Sequence, residues 1–459
     1  MKIVAKRRVS CKVIKKYINV FIKVAVFVGG EAKAIQRRCL VPLAIILTLA
    51  KCPIFRLTSC IIHPKLFGFG FFLRYLQNIG GVSAICIKPL HTNQSFTYHD
   101  MKFLFTIQGE GRGHLTQALT LKRHLEARGH EIVMMIVGKS AVRQLPKFFT
   151  EQAGMRVHTV ESPNFLPAGK RNRPPLTRSI VYNFAHALRF RRSVNHIKRM
   201  AKKVDVVVNF YELLTGLAYK LHRIKTPLVC IGHQYLFLHP DFKFPEGHAS
   251  QVKLLRFYTR ATAWHAKRLL ALSFNDMPTP EANRIRVVPP LLRERVLTAS
   301  PERGDYLFGY MLNAGFSRDI EAWHADHPDV NIHFFWDRET EGGELKVDDR
   351  LTFHSLNDEA FIRYMAGARA YATTAGFESV CEAMYLGKPV LMVPTHIEQL
   401  CNACDAERAG AGVCADHFDL DRLNDLQPVD ATAYRAWVNS AAERIVGEIE
   451  AVAKANGRA

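Results

Sequence analysis

The chain has 459 residues, a formal net charge of +22, and 48% apolar against 23% charged residues. That length exceeds one ordinary core and fits two domains, and the balance of residues excludes an intrinsically disordered chain. Residues 1–100 hold 16 Lys and Arg against Glu31 and Asp100, a charge of +14, whereas the remaining residues hold 47 against 39, or +8. Ten cysteines divide five and five between these parts without the dense spacing of a disulfide scaffold, which points to a reducing compartment.

In chain order, residues 1–100 mix basic clusters at 6–8, 15–16 and 37–38 with apolar runs such as CLVPLAIILTLA. None of these runs reaches the roughly 18 uninterrupted apolar residues that a membrane helix needs. No small-residue cleavage site follows them promptly, so a signal peptide is not expected. At Met101 the text changes to MKFLFTIQGEGRGHL, a clean strand opening a glycine loop. Met101 is therefore the expected start of the protein, with residues 1–100 as upstream sequence read in frame. The rival expectation for 1–100 is a basic, membrane-associating extension.

Lys102–Ile107 reads as a strand, Leu115–Arg128 repeats apolar residues at helical spacing, and His130–Val137 reads as a second strand, together a βαβ opening. Val204–Asn209 and Pro227–Gly232 add strands, so residues 101–290 are expected to form a parallel sheet wrapped by helices. PPLLRER at 289–295 reads as an interdomain linker, since consecutive prolines disfavour both helix and central strand. A second series, Tyr306–Leu312, Asn331–Trp336, Ala368–Thr373 and Pro389–Val393, with a helix over Phe377–Leu386, makes 303–430 a second domain of the same α/β class. Within 431–459, a helix from about Thr432 to Ala453 is long enough to cross back onto the first domain. Cys401 and Cys404 form a CxxC inside an expected helix with no second ligand pair at zinc spacing, so packing is expected of them and no metal site.

Gly109-Glu-Gly111-Arg-Gly113-His114 lies between strand and helix, where glycines permit tight turning and free helix amides face an anion or substrate. The pattern is not GxGxxG, and Gly138-Lys139 after the second strand offers no acid for a ribose diol, so NAD is not expected. His114 at the helix start either takes a proton from a hydroxyl or packs under the loop. Tyr211-Glu212 and His233-Gln234, at expected carboxyl ends of strands, supply polar groups to the same rim.

TTAGFESVCEAMYLGKPVLMVPTHIEQLCNA, residues 373–403, spaces Glu378, Glu382 and Glu398 through an apolar run. Thr374-Ala-Gly376 reads as a tight loop, and the first amides of the following helix, with its positive dipole end, suit a diphosphate. Glu382, one turn in, is placed to accept from a ribose diol, and Glu398 and Gln399 after the next strand to bind sugar hydroxyls. Such contacts suit a nucleotide sugar.

This stretch resembles the donor-binding signature of the GT-B glycosyltransferases, including UDP-glycosyltransferases and the lipid-linked N-acetylglucosaminyltransferase of peptidoglycan synthesis. Gly376, Ser379, Glu382, Gly387, Pro389, Pro394, Glu398, Gln399, Asn402 and Ala403 fall in its register without a gap. Two departures stand out: Thr374 occupies the place of a phosphate-binding His, and Glu378 that of an Asn.

The resemblance implies two Rossmann-like domains facing across a cleft, with Asn313 and Gly315 completing a diphosphate cradle beside Thr374, Gly376 and Ser379. It implies transfer of a hexose or N-acetylhexosamine from a UDP-type donor to an acceptor hydroxyl, with inversion. His114 would be the base, with Gly111, Gly113, Glu212 and His233 on the acceptor side, and neither metal nor cofactor would be needed. A nucleotide-sugar 2-epimerase, or a non-catalytic partner that binds nucleotide sugar or membrane, are the alternatives.

Residues 170–203 contain eleven Lys and Arg and no acid, interleaved with Tyr182, Phe184, Leu188 and Phe190. That composition suits docking on anionic lipid, so a peripheral cytoplasmic enzyme with a lipid or lipid-linked acceptor is expected. Nucleic acid is not, for want of a recognisable binding module.

Overall fold

The computed structural model describes residues 101–140, 144–163, 187–280 and 282–457, all in one unit of the chain. Residues 1–100, and 170–186 of the basic segment, lie outside the described residues.

The first domain is built on β1 (Lys102–Gln108), β2 (Glu131–Lys139), β3 (Val157–Glu161), β4 (Val206–Phe210), β5 (Leu228–Gly232), β6 (Arg268–Leu272) and β7 (Ile285–Val288). They pair in parallel in the order β3-β2-β1-β4-β5-β6-β7. In β1, Lys102 registers with Glu131 of β2, and Phe103 with both Ile132 of β2 and Val206 of β4. Every residue of VVVNF (β4) and LVCIG (β5) is buried, which is why these strands read as continuous apolar runs instead of alternating. The helix Arg112–Glu126 follows β1, burying Leu115, Leu119 and Leu125, and Gly129 at φ 85° turns the chain into β2.

The second domain repeats the plan with β8 (Tyr306–Met311), β9 (Asn331–Trp336), β10 (Glu344–Lys346), β11 (Leu351–Ser355), β12 (Ala370–Thr373), β13 (Val390–Met392) and β14 (Gly412–Cys414), in the order β10-β11-β9-β8-β12-β13-β14. All pairs are parallel except β10 against β11. The expected α/β class with two Rossmann-like sheets is what the chain adopts. Strands β3, β6, β7, β10, β11 and β14 did not stand out in the sequence. β3, β10 and β14 are edge strands of three to five residues without a fully buried position, so their composition is barely apolar.

Strand order reverses between β1 and β4 and again between β8 and β12. At such a point successive loops leave in opposite directions and open a crevice at the carboxyl ends of the strands. The glycine loop and Tyr211-Glu212 stand at the first reversal; Asn313–Phe316 and Thr374–Gly376 stand at the second.

The chain passes between the domains twice. After β7, residues 289–292 run extended and buried, and Glu294–Leu297 forms one helical turn. The return differs from the single helix expected, because Thr432–Asn439 and Ala441–Ala455 are separate helices broken at Ser440. Thr432–Asn439 packs on the helix Phe377–Tyr385, and Ala441–Ala455 packs on β6, β7 and the helix Arg112–Glu126. Trp437, near the break, donates from Nε1 to the Ser273 carbonyl at 3.0 Å.

Candidate active site

One half of the site is the loop between β1 and the helix Arg112–Glu126. A Cβ at Gly109 would sit 2.6 Å from Val137 Cγ1 and 3.0 Å from the Gly138 carbonyl, so only glycine lets the loop pass this close to β2. Glu110 fastens its other side by accepting from the Ser140 amide at 2.6 Å. Gly111 is exposed at the helix start.

His114, in the first turn, is 9% exposed. Its Nδ1 lies 3.3 Å from Gln117 Oε1 and its Nε2 3.4 Å from Gln234 Nε2. Its ring stacks on Tyr211 with centroids 5.7 Å apart. Tyr211 keeps that place in left-handed backbone, φ 60°, an uncommon conformation for a bulky residue and one that clusters at functional sites. Burial lowers the His114 pKa, and Glu398 and Gln117 offset only part of that, so the imidazole is neutral near pH 7.

The other half follows β12. Thr374 is buried, Ala375 takes left-handed φ 58°, and Gly376 starts the helix Phe377–Tyr385 with no side chain capping its first amides. Asn402 Nδ2 braces the turn by donating to the Ala375 carbonyl at 3.4 Å, and Ser379 Oγ donates to the Gly376 carbonyl at 3.2 Å. In the neighbouring loop after β8, Asn313 Oδ1 accepts from the Gly315 amide at 2.9 Å, holding a short turn whose glycine is exposed. Gln399 is buried, its Oε1 accepting from the Thr395 amide at 2.9 Å and from Thr395 Oγ1 at 2.7 Å.

The halves touch. Gln234 donates to Glu398 Oε1 at 2.8 Å, and Gln117 Nε2 donates to Glu378 Oε1. A Cβ at Gly113 would lie 3.0 Å from Glu378 Cγ, so a side chain there would make the Glu378 side chain shift. Burial pushes the Glu378 carboxyl up to about 8, so near pH 7 it carries its proton for most of the time. The departure at 378 therefore sets a mostly neutral group, turned toward Gln117 of the first domain, beside the helix start.

Three expected site residues are differently employed. Glu212 is fully buried instead of standing on the rim: it caps the helix Leu213–His222 by accepting from the Leu214 amide at 3.0 Å, accepts from Ser162 Oγ at 2.6 Å, and is pushed up to about 7 by burial. His233 also lies beneath the rim. Its Nδ1 donates to the Leu272 carbonyl at 2.8 Å, its ring stacks on Phe377 with centroids 4.0 Å apart, and burial lowers it to about 4, so it is a neutral packing group between the domains. Glu382 is not an open carboxylate, because Arg293 Nε and Nη2 grip its two oxygens at 2.7 and 2.6 Å, while Arg293 Nη1 donates to Asp358. Burial opposes the charge on Arg293, but Glu382 and then Asp358 outweigh it and raise its pKa.

Two contributors escaped the sequence reading. Gln117 lies three residues beyond His114 on one helix, a spacing that was available as a signal. Arg293, in an apolar linker, carried none.

A family model described as glycosyl transferase family 1 matches residues 101–428. The chain belongs to glycosyl transferase family 1. It is a glycosyltransferase of the GT-B fold. The spinosyn forosaminyltransferase SpnP is 15% identical with a TM-score of 0.50, over 77% of this chain and 100% of that one, a likeness of fold. The calicheamicin glycosyltransferase CalG4 is 19% identical with a TM-score of 0.49, over 77% of this chain and 98% of the other. A stretch of 71 residues, 16% of this chain, is 32% identical to the Caenorhabditis elegans protein named UDP-glucuronosyltransferase ugt-48 and spans 13% of that protein's length.

Proposed function

We propose that this glycosyltransferase moves a hexose or N-acetylhexosamine from a UDP-type nucleotide sugar to an acceptor hydroxyl, with inversion and without a metal. The observation that carries the reading is the placement of a neutral, buried imidazole at one sheet reversal, linked through Gln234 to Glu398 of the other domain. His114 is the base: the acceptor O–H gives its proton to Nε2, the oxygen bonds to the anomeric carbon, and the bond from that carbon to the diphosphate breaks with its electron pair on the departing oxygen. The uncapped amides after Gly376, with Ser379, Thr374 and the Asn313–Gly315 turn, receive the diphosphate. Glu398 and Gln399 contact the sugar. Glu382 contributes to the ribose only if Arg293 releases one of its oxygens, so on this reading it mainly anchors the helix. Gly111, with open space at its Cα, leaves room for the acceptor, Gly113 lets the loop close against Glu378, and Glu212 and His233 support the floor.

A panel of nucleotide sugars incubated with candidate alcohols and chelator, followed by mass spectrometry and NMR of the anomeric centre, tests this. Expected is a glycoside of inverted configuration whose formation is insensitive to chelator. A retained configuration, or an epimerised donor formed without acceptor, overturns it.

The acceptor is proposed to be a lipid or lipid-linked alcohol reached at a cytoplasmic membrane face. Arg191, Arg192, Arg199, Lys202 and Lys203 are exposed on or just after the helix Ala187–Ala201, and Leu254 and Phe257 are exposed on the helix Ala249–Thr262 beside Lys253 and Arg260, all in the first domain. The five cysteines among the described residues are free, which suits a reducing compartment. No described helix is long and apolar enough to cross a membrane. Co-sedimentation with anionic liposomes at low salt is expected, and loss of it with Arg191→Glu and Arg192→Glu; binding unchanged by these substitutions would remove the membrane reading alone.

A further inference from the structure

His114, Gln117 and Glu378 form a chain of hydrogen bonds that begins in the first domain and ends in the second. Gln117 is 3% exposed, and its amide has two unlike ends. Its Nε2 donates to Glu378 Oε1, and its Oε1 lies 3.3 Å from His114 Nδ1. A carbonyl facing Nδ1 requires a hydrogen on Nδ1, which leaves Nε2 bare. Gln234 Nε2, a donor, stands 3.4 Å from that bare nitrogen, as the same tautomer requires. What stops the Gln117 amide from turning over is the group at its far end. A carboxyl oxygen there accepts from NH2, whereas a second amide could pair either way round.

We infer that Glu378 and Gln117 are positioning residues that set the tautomer of His114, the carboxyl of the sugar-donor domain fixing the direction of the Gln117 amide so that the imidazole presents an unprotonated Nε2 to the acceptor. The inference rests on the reading of His114 as base. It also gives the exchange of Asn for Glu at 378 a use. Either protonation state of Glu378 leaves Oε1 an acceptor, because the proton of the neutral acid has Oε2, which is buried and has no hydrogen-bond partner of its own. Because Glu378 belongs to the second domain, the base is set only while the two domains are in contact.

The test uses the full chain labelled with ¹⁵N-histidine, the His114 signals being assigned by their disappearance in His114→Asn. In the wild type, Nδ1 is expected to be the protonated nitrogen and Nε2 the bare one. Glu378→Gln replaces the carboxyl by an amide and is expected to mix the tautomers and lower kcat by about tenfold to a hundredfold, a part of what a general base supplies. The donor KM and the melting temperature should stay near those of the wild type. The exchange Gln117→Glu with Glu378→Gln restores direction, since a carboxylate at 117 accepts from Nδ1–H and the amide at 378 donates to it; tautomer and kcat are expected to recover together. An unchanged tautomer in Glu378→Gln, or an exchanged pair no better than the single variant, overturns the inference. The ¹⁵N readout needs no turnover, so an unchanged tautomer overturns this inference while leaving the transferase reading intact, whereas failure to find any sugar donor sinks the transferase reading and removes the catalytic use of the tautomer.

Discussion

His114 is held neutral by its surroundings, and that has a measurable signature. Burial keeps its pKa below 6.5, so the acid limb of kcat/KM against pH is expected to turn below that value, and His114→Ala to lower kcat by about a hundredfold or more without loss of donor binding. Had the limb turned above 6.5, the imidazole would be charged in the free enzyme and the assignment would fail. Glu212 and Glu378 govern stability instead. Each has a folded pKa, about 7 and about 8, above the ordinary 4.5, so between those values the folded chain binds more protons than the unfolded one. Stability contributed by the neutral acids is present below pH 4.5 and is lost as pH rises through 7 and 8. Denaturant titrations at pH 5.5 and pH 8.5 should show this decline, flattened in Glu378→Gln; an equal slope in that variant would mean the carboxyl ionises freely.

At the scale of elements, the linker after β7 and the helix Phe377–Tyr385 are tied by Arg293 and Glu382, whose side chains are 16% and 2% exposed. Removing one partner strands a buried charge, and Arg293→Ala is expected to destabilise by about 3–5 kcal/mol, read by urea denaturation. Replacing both partners with apolar residues should cost much less. This pairing was invisible in the sequence because nothing local distinguishes a linker arginine that meets a carboxylate 89 positions later from one that meets water. Strands buried on both faces, such as β1, β4, β5, β8 and β12, were legible because apolar composition follows from position, whereas β6 and β11, each with four of five residues buried, were not read. β10, with all three residues exposed, offers no such signal. Likewise the site loops were legible through their glycines and their register, while the fate of Glu212, a cap rather than a contact, depended on Ser162 fifty residues away.

For the whole molecule, the helix Ala441–Ala455 fastens the end of the chain to the first domain. Ile445, Val446 and Ile449 are buried, Glu448 pairs with Arg268 and Arg286 at 3.0 and 3.4 Å, and Glu450, 4% exposed, accepts from Arg128 and lies 3.2 Å from His130 Nε2. Glu450→Ala is expected to lower stability by about 1–3 kcal/mol, since buried groups lose a partner; a change within 0.5 kcal/mol would mean that this anchorage is superficial. A UDP-type donor that binds only the folded chain should stabilise it by about 2.7 kcal/mol at a hundred times its Kd, and a thermal shift unresponsive to any nucleotide sugar would count against the cradle.

The two crossings, near residues 289–297 and at Ser440, attach each domain to the other at separate places. A body fastened at two points turns only about the line through them. Two crossings oppose sliding apart more than they oppose a swing about the line through them, and Gln117 against Glu378 and Gln234 against Glu398 are the contacts that such a swing would break. An opening of that kind would be described by one angle.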